Sequence, residues 1–319
     1  MVTVGYHASH EQHTPRELLT AVRLAELVGF DEVMCSDHLA PWTTAQGQSG
    51  FAWSWLGAAM AQTGIPFGLV NAPGQRYHPV VIAQAIGTLA QMFPERFWVA
   101  LGSGENLNEH VTGDPWPEKP VRQQRLRESV DAIRALLDGR RVDVDGLIRI
   151  HDARIWTLPE QPVPLVGAAV SAETAAWVAE WGDGMITVGS QAEQTAEALR
   201  RFRGAGGRGP ARLQIHLSLE PTRETALAAA REQWSQTMAQ GVSTWDVENP
   251  EDFEAAIVPS DDALEQGVLI SDDPADLADR IAEVAHGYDH IYLHHVGRDQ
   301  ADFLRRCESD LLPRLRRVL

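Results

Sequence analysis

Asp31-Glu32-Val33-Met34-Cys35, followed by Ser36-Asp37-His38-Leu39-Ala40-Pro41-Trp42, decides how the rest of the chain reads. The first five residues form an apolar run of the length of a buried strand. The next seven put an acid, an imidazole and an indole just past that strand's carboxyl end, where α/β enzymes keep their chemistry. Aspartate also caps turns and histidine often sits in a satisfied polar pocket, so this segment alone leaves a purely structural role open.

Working outward, residues 3–8 alternate as a strand, and Thr14-Pro15-Arg16-Glu17 opens a helix with Thr14 as N-cap and Gly29 as its stop. Further strands are expected at 65–70, 97–101, 163–167, 184–188, 213–219 and 288–295. Helices are expected at 54–62, from Pro79, and at 121–137, 172–181, 192–202, 223–238 and 274–285. Nearly continuous apolar strands alternating with amphipathic helices mean a parallel sheet covered by helices. About eight such units close a (β/α)8 TIM barrel, an α/β fold, here a single domain over residues 1–319. Residues 138–162 and 241–266 fit no unit and are expected as rim insertions that close over substrate.

Composition narrows the function classes. The chain has 319 residues, 44% of them hydrophobic and 22% charged, enough for a large core. No stretch approaches the roughly 20 apolar residues of a membrane span, and the first residues look like a strand, so a soluble cytoplasmic protein is expected, with no membrane partner. A net charge of -17 repels phosphate backbones and argues against nucleic acid. Cys35 and Cys307 lie far apart and read as core thiols. His7, His10 and His13 would spread around a helix, and no acidic cluster completes a coordination sphere for them or for His294-His295, so no metal is expected.

On a barrel, the residues just past the strand ends converge on one mouth: Tyr6-His7, Asp37-His38 with Trp42, Val70-Asn71, Ser103-Gly104-Glu105, Ser171, and Val188-Gly189. An imidazole and a carboxylate across one cavity can pass protons. The glycines of Gly102-Ser103-Gly104 permit close approach by a flat ligand, though a solvated loop acid at Glu105 is an equal reading from spacing alone. Ser171 caps a helix start, a place that binds phosphate or merely ends a helix. Trp42, Trp53 and Trp55 suit ring stacking or a rim core.

Several of these motifs also resemble a known family. Gly5-Tyr6-His7-Ala8-Ser9, Pro15-Arg16-Glu17-Leu18, Ser36-Asp37-His38 to Pro41-Trp42, Arg76-Tyr77 with Pro79-Val80-Val81-Ile82-Ala83-Gln84-Ala85, Gly102-Ser103-Gly104-Glu105 to Leu107-Asn108-Glu109, Arg125-Leu126-Arg127-Glu128-Ser129 and Ser309-Asp310-Leu311 together resemble the luciferase-like oxidoreductase superfamily, most of all its deazaflavin-dependent glucose-6-phosphate dehydrogenase group. The resemblance implies a (β/α)8 barrel, commonly a homodimer, that holds coenzyme F420 or FMN at the strand ends.

By the same resemblance, His38 and Glu105 match an acid/base pair, and Trp42 an aromatic on the hydride-transfer face. Asp37, Ser103, Gly104 and Asn108 match cofactor contacts, and Val70 lies where that family supports the ring with a strained bulge. The family's Gly-Gly at the cofactor phosphate is Val170-Ser171 here. The hydroxyl and three cations that hold sugar phosphate align with Val188, Gln191, Gly241 and Gln266, as in a sister branch outside the F420-using members. The expected activity is hydride transfer between a small, non-phosphorylated substrate and FMN or F420. The alternatives are an FMN-dependent two-component monooxygenase fed by a partner flavin reductase, and a catalytically silent flavin-binding barrel.

Overall fold

The computed structural model describes residues 2–319. Eleven strands run in chain order: β1 (Thr3–Ala8), β2 (Glu32–Ser36), β3 (Phe67–Asn71), β4 (Phe97–Leu101), β5 (Val142–Asp145), β6 (Arg149–Ala153), β7 (Leu165–Ala168), β8 (Met185–Val188), β9 (Ala211–Leu219), β10 (Leu269–Ser271) and β11 (His290–His295). Eight are parallel neighbours in the order β1-β2-β3-β4-β7-β8-β9-β11, and β11 pairs back onto β1 to close the barrel. The eight-unit reading of the sequence therefore holds, with strand ends displaced by at most two residues.

Large and small side chains are matched inside the barrel. Met34, Trp98, Ala100, Val166, Ile186 and Tyr292 pack into one buried cluster. Gly5 and Gly68 face the two aromatics: a methyl group at Gly5 would lie 2.5 Å from the Tyr292 ring, and one at Gly68 would lie 2.0 Å from the Trp98 ring. Neither overlap can be relieved without moving a close-packed core.

Outside, the first helix (Pro15–Val28) illustrates how local sequence fixes an element. Thr14 and Glu17 cap each other reciprocally, Pro15 opens the first turn, and Gly29 ends the helix at φ 99°. Leu18, Ala21, Val22 and Ala25 bury its inner stripe. Among the described residues no helix is long and apolar enough to cross a membrane.

The two insertions go to different places. Residues 241–266 do lie over the mouth: Phe253 and Val247 pack with Leu107, Ala40 and Trp42, and the backbone N–H of Asn106 donates to the Trp245 carbonyl. Residues 138–162 do not. They form the antiparallel β5–β6 hairpin, which leaves a helix carboxyl end at the far side of the barrel and lies along the flank. Its turn is held by Glu128, whose carboxylate accepts from the N–H groups of Leu147 and Ile148. The following segment, Arg154 to Thr157, packs on Val80, Gln84 and Thr88 of the helix Pro79–Met92. The helix expected over 223–238 stops at Gln233 and continues as a 3-10 turn, Ser235–Met238.

Candidate active site

Side chains that alternate inward along the strands end in a partly accessible layer. Ser36, Val70, Ala168, Val188, Gln214 and His216 each keep some exposure where their buried neighbours keep none, and so mark the open end of the barrel. Sequence-expected residues converge there with exceptions. Tyr6 points outward, packs edge-on to Phe30 and donates to Gln300 Oε1 at 2.8 Å. Trp53 and Trp55 are buried in the core, Trp55 with its indole N–H on the Pro15 carbonyl. No bulge occurs at Val70, because β3 keeps regular register with β2 and β4 through Val70 and Asn71. The ladder simply continues past it, with Asp37 N–H on the Val70 carbonyl and Gly102 N–H on that of Asn71.

His38 follows β2 on a turn whose backbone is pinned from across the mouth. Asn108 Oδ1 accepts from Leu39 N–H at 2.8 Å, while its Nδ2 donates to Glu105 Oε2 at 3.2 Å. One amide thereby couples the imidazole turn to the carboxyl turn. His38 Nδ1 faces Glu11 Oε1 at 3.5 Å, and Trp42 lies edge-on to the imidazole with centroids 5.1 Å apart. Phe253 from the rim insertion then packs on Trp42 at 5.8 Å.

Beneath these turns lies a buried charge cluster that spacing did not reveal. Arg76 donates to Asp37 Oδ2 at 3.3 Å and to the Asp37 carbonyl at 2.9 Å. Its backbone N–H binds Glu109 Oε2 at 2.6 Å. Asn71 Nδ2 adds a bond to Asp37 Oδ2 at 3.0 Å. Asp37 Oδ1 and Asn71 Oδ1 are buried without protein partners. Burial holds the Glu105 carboxyl above the ordinary range; His38 and Arg76 oppose the shift, and Glu11 and Glu109 reinforce it. Glu109 is likewise raised by burial, against the pull of Arg76.

Ser103 and Gly104 border the same mouth, Gly104 at φ 83°, where a side chain would press within 3.1 Å of Glu109 Cγ. Val170 and Ser171 are exposed at the start of the short helix Ala172–Val178. The Ser171 hydroxyl accepts from Thr174 N–H at 3.2 Å, and Glu173 pairs with Lys119 at 3.1 Å.

Histidines crowd the floor. His7 stacks on His294 with centroids 4.2 Å apart, and His216 lies 5.0 Å from His294. Among the described residues no group of three or more His, Cys, Asp or Glu side chains is arranged to hold a metal ion. Burial is the main cause that depresses His7 and His294 well below the usual imidazole range and brings His10, His13 and His216 to about 4.

Groups held neutral in the fold but free to charge when unfolded make the unfolded state bind more protons. The stability they allow is therefore complete above about pH 6.5 and lost as pH falls toward about 4. Denaturant unfolding across pH 8 to 4 should show a plateau and then a steep decline through that window. A stability that stays level down to pH 5 would mean that these imidazoles are not held neutral.

Comparison with known proteins agrees with the barrel fold. Residues 1–290 match the family model of the luciferase-like monooxygenases. A curated F420-dependent glucose-6-phosphate dehydrogenase of Beutenbergia cavernae is 38% identical over 99% of this chain and 98% of its own. One of Mycobacterium tuberculosis is 35% identical over 99% and 98%. A solved F420-dependent secondary alcohol dehydrogenase, in complex with an F420-acetone adduct, superposes with TM-score 0.90 at 28% identity, covering 99% of both chains. The monooxygenase RslO1 of Streptomyces bottropensis superposes at 0.73 with 18% identity, covering 98% of this chain and 99% of its own, and shares the fold. The protein belongs to the luciferase-like monooxygenase family.

Proposed function

We propose that this flavin- or deazaflavin-dependent oxidoreductase interconverts a small uncharged alcohol and its carbonyl compound, with His38 and Glu105 managing the protons. The observation that carries the reading is the linked pair itself: His38 backed by Glu11, and a proton-retaining Glu105 tied to the His38 turn through Asn108.

The residues of the mouth fit a flat polar-edged ring. Val70, Ala168 and Val188 offer an apolar floor, while Asp37 Oδ1 and Asn71 Oδ1 are acceptors without a partner at its edge. Asp37, Ser103 and Gly104 would hold the ring, and the exposed amides at the start of the Ser171 helix would meet the phosphate. When bound, FMN or F420 supplies the two-electron redox chemistry. Glu11 faces the imidazole at Nδ1, which leaves Nε2 to take the substrate hydroxyl proton in one direction and return it in the other. On Glu105, Oε2 accepts from Asn108, which leaves Oε1 to carry the proton. Trp42 walls the imidazole and, with Phe253, keeps water from it.

His38→Ala and Glu105→Gln should each fold and bind cofactor nearly as the parent does, yet turn over about a hundredfold or more slowly. Parent-like turnover in either variant would remove that residue from the mechanism. For the cofactor, absorbance titrations of the parent with FMN and with F420 should find a ligand among the two, and Ser171→Asp should weaken it by repelling its phosphate. Unchanged affinity would move the phosphate to another part of the rim.

The uncharged substrate class follows from the same wall. Gln191 Nε2 donates to the Gln266 carbonyl at 3.1 Å, so two positions where the resemblance places sugar-phosphate cations carry neutral amides. The nearby guanidinium of Arg223 is bound to Glu265. Two missing charge-assisted contacts cost on the order of a hundredfold in affinity or more. Steady-state assays with glucose-6-phosphate beside a panel of uncharged secondary alcohols should favour the alcohols, and a clear preference for the sugar phosphate would reject this substrate class.

A further inference from the structure

Val188 pairs in register with Gln214 on the next strand, and beyond it His216 pairs with His294. These side chains make a polar strip on the mouth floor that the proton chemistry above does not use. Its hydrogen-bond directions can be worked out from one anchor. Gln12 Nε2 donates to the Val296 carbonyl at 2.7 Å, so Gln12 Oε1 must accept, and the atom facing it at 2.9 Å, His294 Nε2, carries the ring proton. A neutral His294 then accepts at Nδ1, where Gln214 Nε2 donates at 3.2 Å. The same amide nitrogen meets His216 Nε2 at 3.2 Å, which places the His216 proton on Nδ1, beside the Gly267 backbone. Turning the Gln214 amide over would set its oxygen against two ring nitrogens, one of which has no proton to give. Every member is thus committed except Gln214 Oε1, on a residue that retains exposure to the mouth. His7 stacks on the same His294 ring, with both of its own ring nitrogens buried and without partners.

We propose that Gln214, through Oε1, and His7, which both contact His294, form a subsite for a second uncharged oxygen of the substrate, a hydroxyl that donates to the amide oxygen and meets the imidazole. This rests on the reading that the substrate is a neutral alcohol, and narrows it from mono-alcohols to diols or hydroxy ketones. A hydroxyl suits the pair because it both donates and accepts, as a neutral imidazole does. The imidazoles of the strip stay neutral, which removes the fixed positive charge that an anionic group would need.

The test uses three probes of equal chain length, 2-hexanol, 2,5-hexanediol and 5-hydroxyhexanoate. Each is measured in two ways on the parent, on Gln214→Leu and on His216→Gln: as a substrate with cofactor, and by quenching of tryptophan fluorescence from the nearby Trp42 and Trp234. The diol should bind about three- to tenfold more tightly than the mono-alcohol, the increment of one hydrogen bond. Gln214→Leu should abolish that advantage through KM while leaving the mono-alcohol unchanged. His216→Gln, which loosens the amide without removing it, should fall between. An equal loss for all probes in Gln214→Leu, or no diol preference in the parent, would overturn the subsite. Tightest binding of 5-hydroxyhexanoate with proton uptake would make it an anion site instead. If none of the three is turned over but the fluorescence order holds, the assigned reaction fails and the subsite stands.

Discussion

Arg76 is the charge on which the active mouth depends. Its guanidinium sits between two carboxylates, Asp37 at 3.3 Å and Glu109 at 3.7 Å, all three almost wholly buried. Asp37 immediately precedes His38, and Glu109 lies one helical turn beyond Glu105. A single cation therefore fixes the two turns that carry His38 and Glu105, and Asn108 adds a second tie between them. Removing one partner from such a buried set typically costs about 3–5 kcal/mol, because the remaining charge is stranded. Glu105 sits at the same mouth, where burial is the main cause that raises its carboxyl, reinforced by Glu11 and Glu109 and opposed by His38 and Arg76.

The floor of the mouth follows a different rule. Around His38 charge is gathered, whereas around His7, His216 and His294 it is excluded by burial. Two environments at one mouth thus differ in charge, as the proposed split between moving protons and recognising a neutral molecule requires. The first needs groups whose charge can change, and the second needs groups whose charge stays fixed at zero.

Much of this was legible in the chain, because strand-end positions can be counted without knowing the register. His38, Trp42, Asp37 and Glu105 follow apolar runs directly, and the barrel brings them together. Glu11 and Arg76 were not legible as site residues, since nothing local marks a loop acid or a loop arginine that acts on the turn after a neighbouring strand. The Gln214–His216–His294 strip was hidden for a related reason: its members belong to strands 80 residues apart that only β9–β11 pairing makes adjacent. The hairpin at 142–153 was missed because charges interrupt the alternation of β5 and β6. Its location was misjudged because a segment between a helix end and the next strand starts from the face opposite the mouth.

Burial raises the Glu105 carboxyl, so that it keeps its proton where an ordinary carboxyl has lost it. Infrared difference spectra of the parent minus Glu105→Gln, recorded across pH 4 to 9, read that proton directly through the C=O stretch of a protonated carboxylic acid. The expected result is a band, absent from the variant, that persists clearly above the ordinary glutamate range of about 4.3 and disappears only at higher pH. A band that is lost at about 4.3 would contradict it.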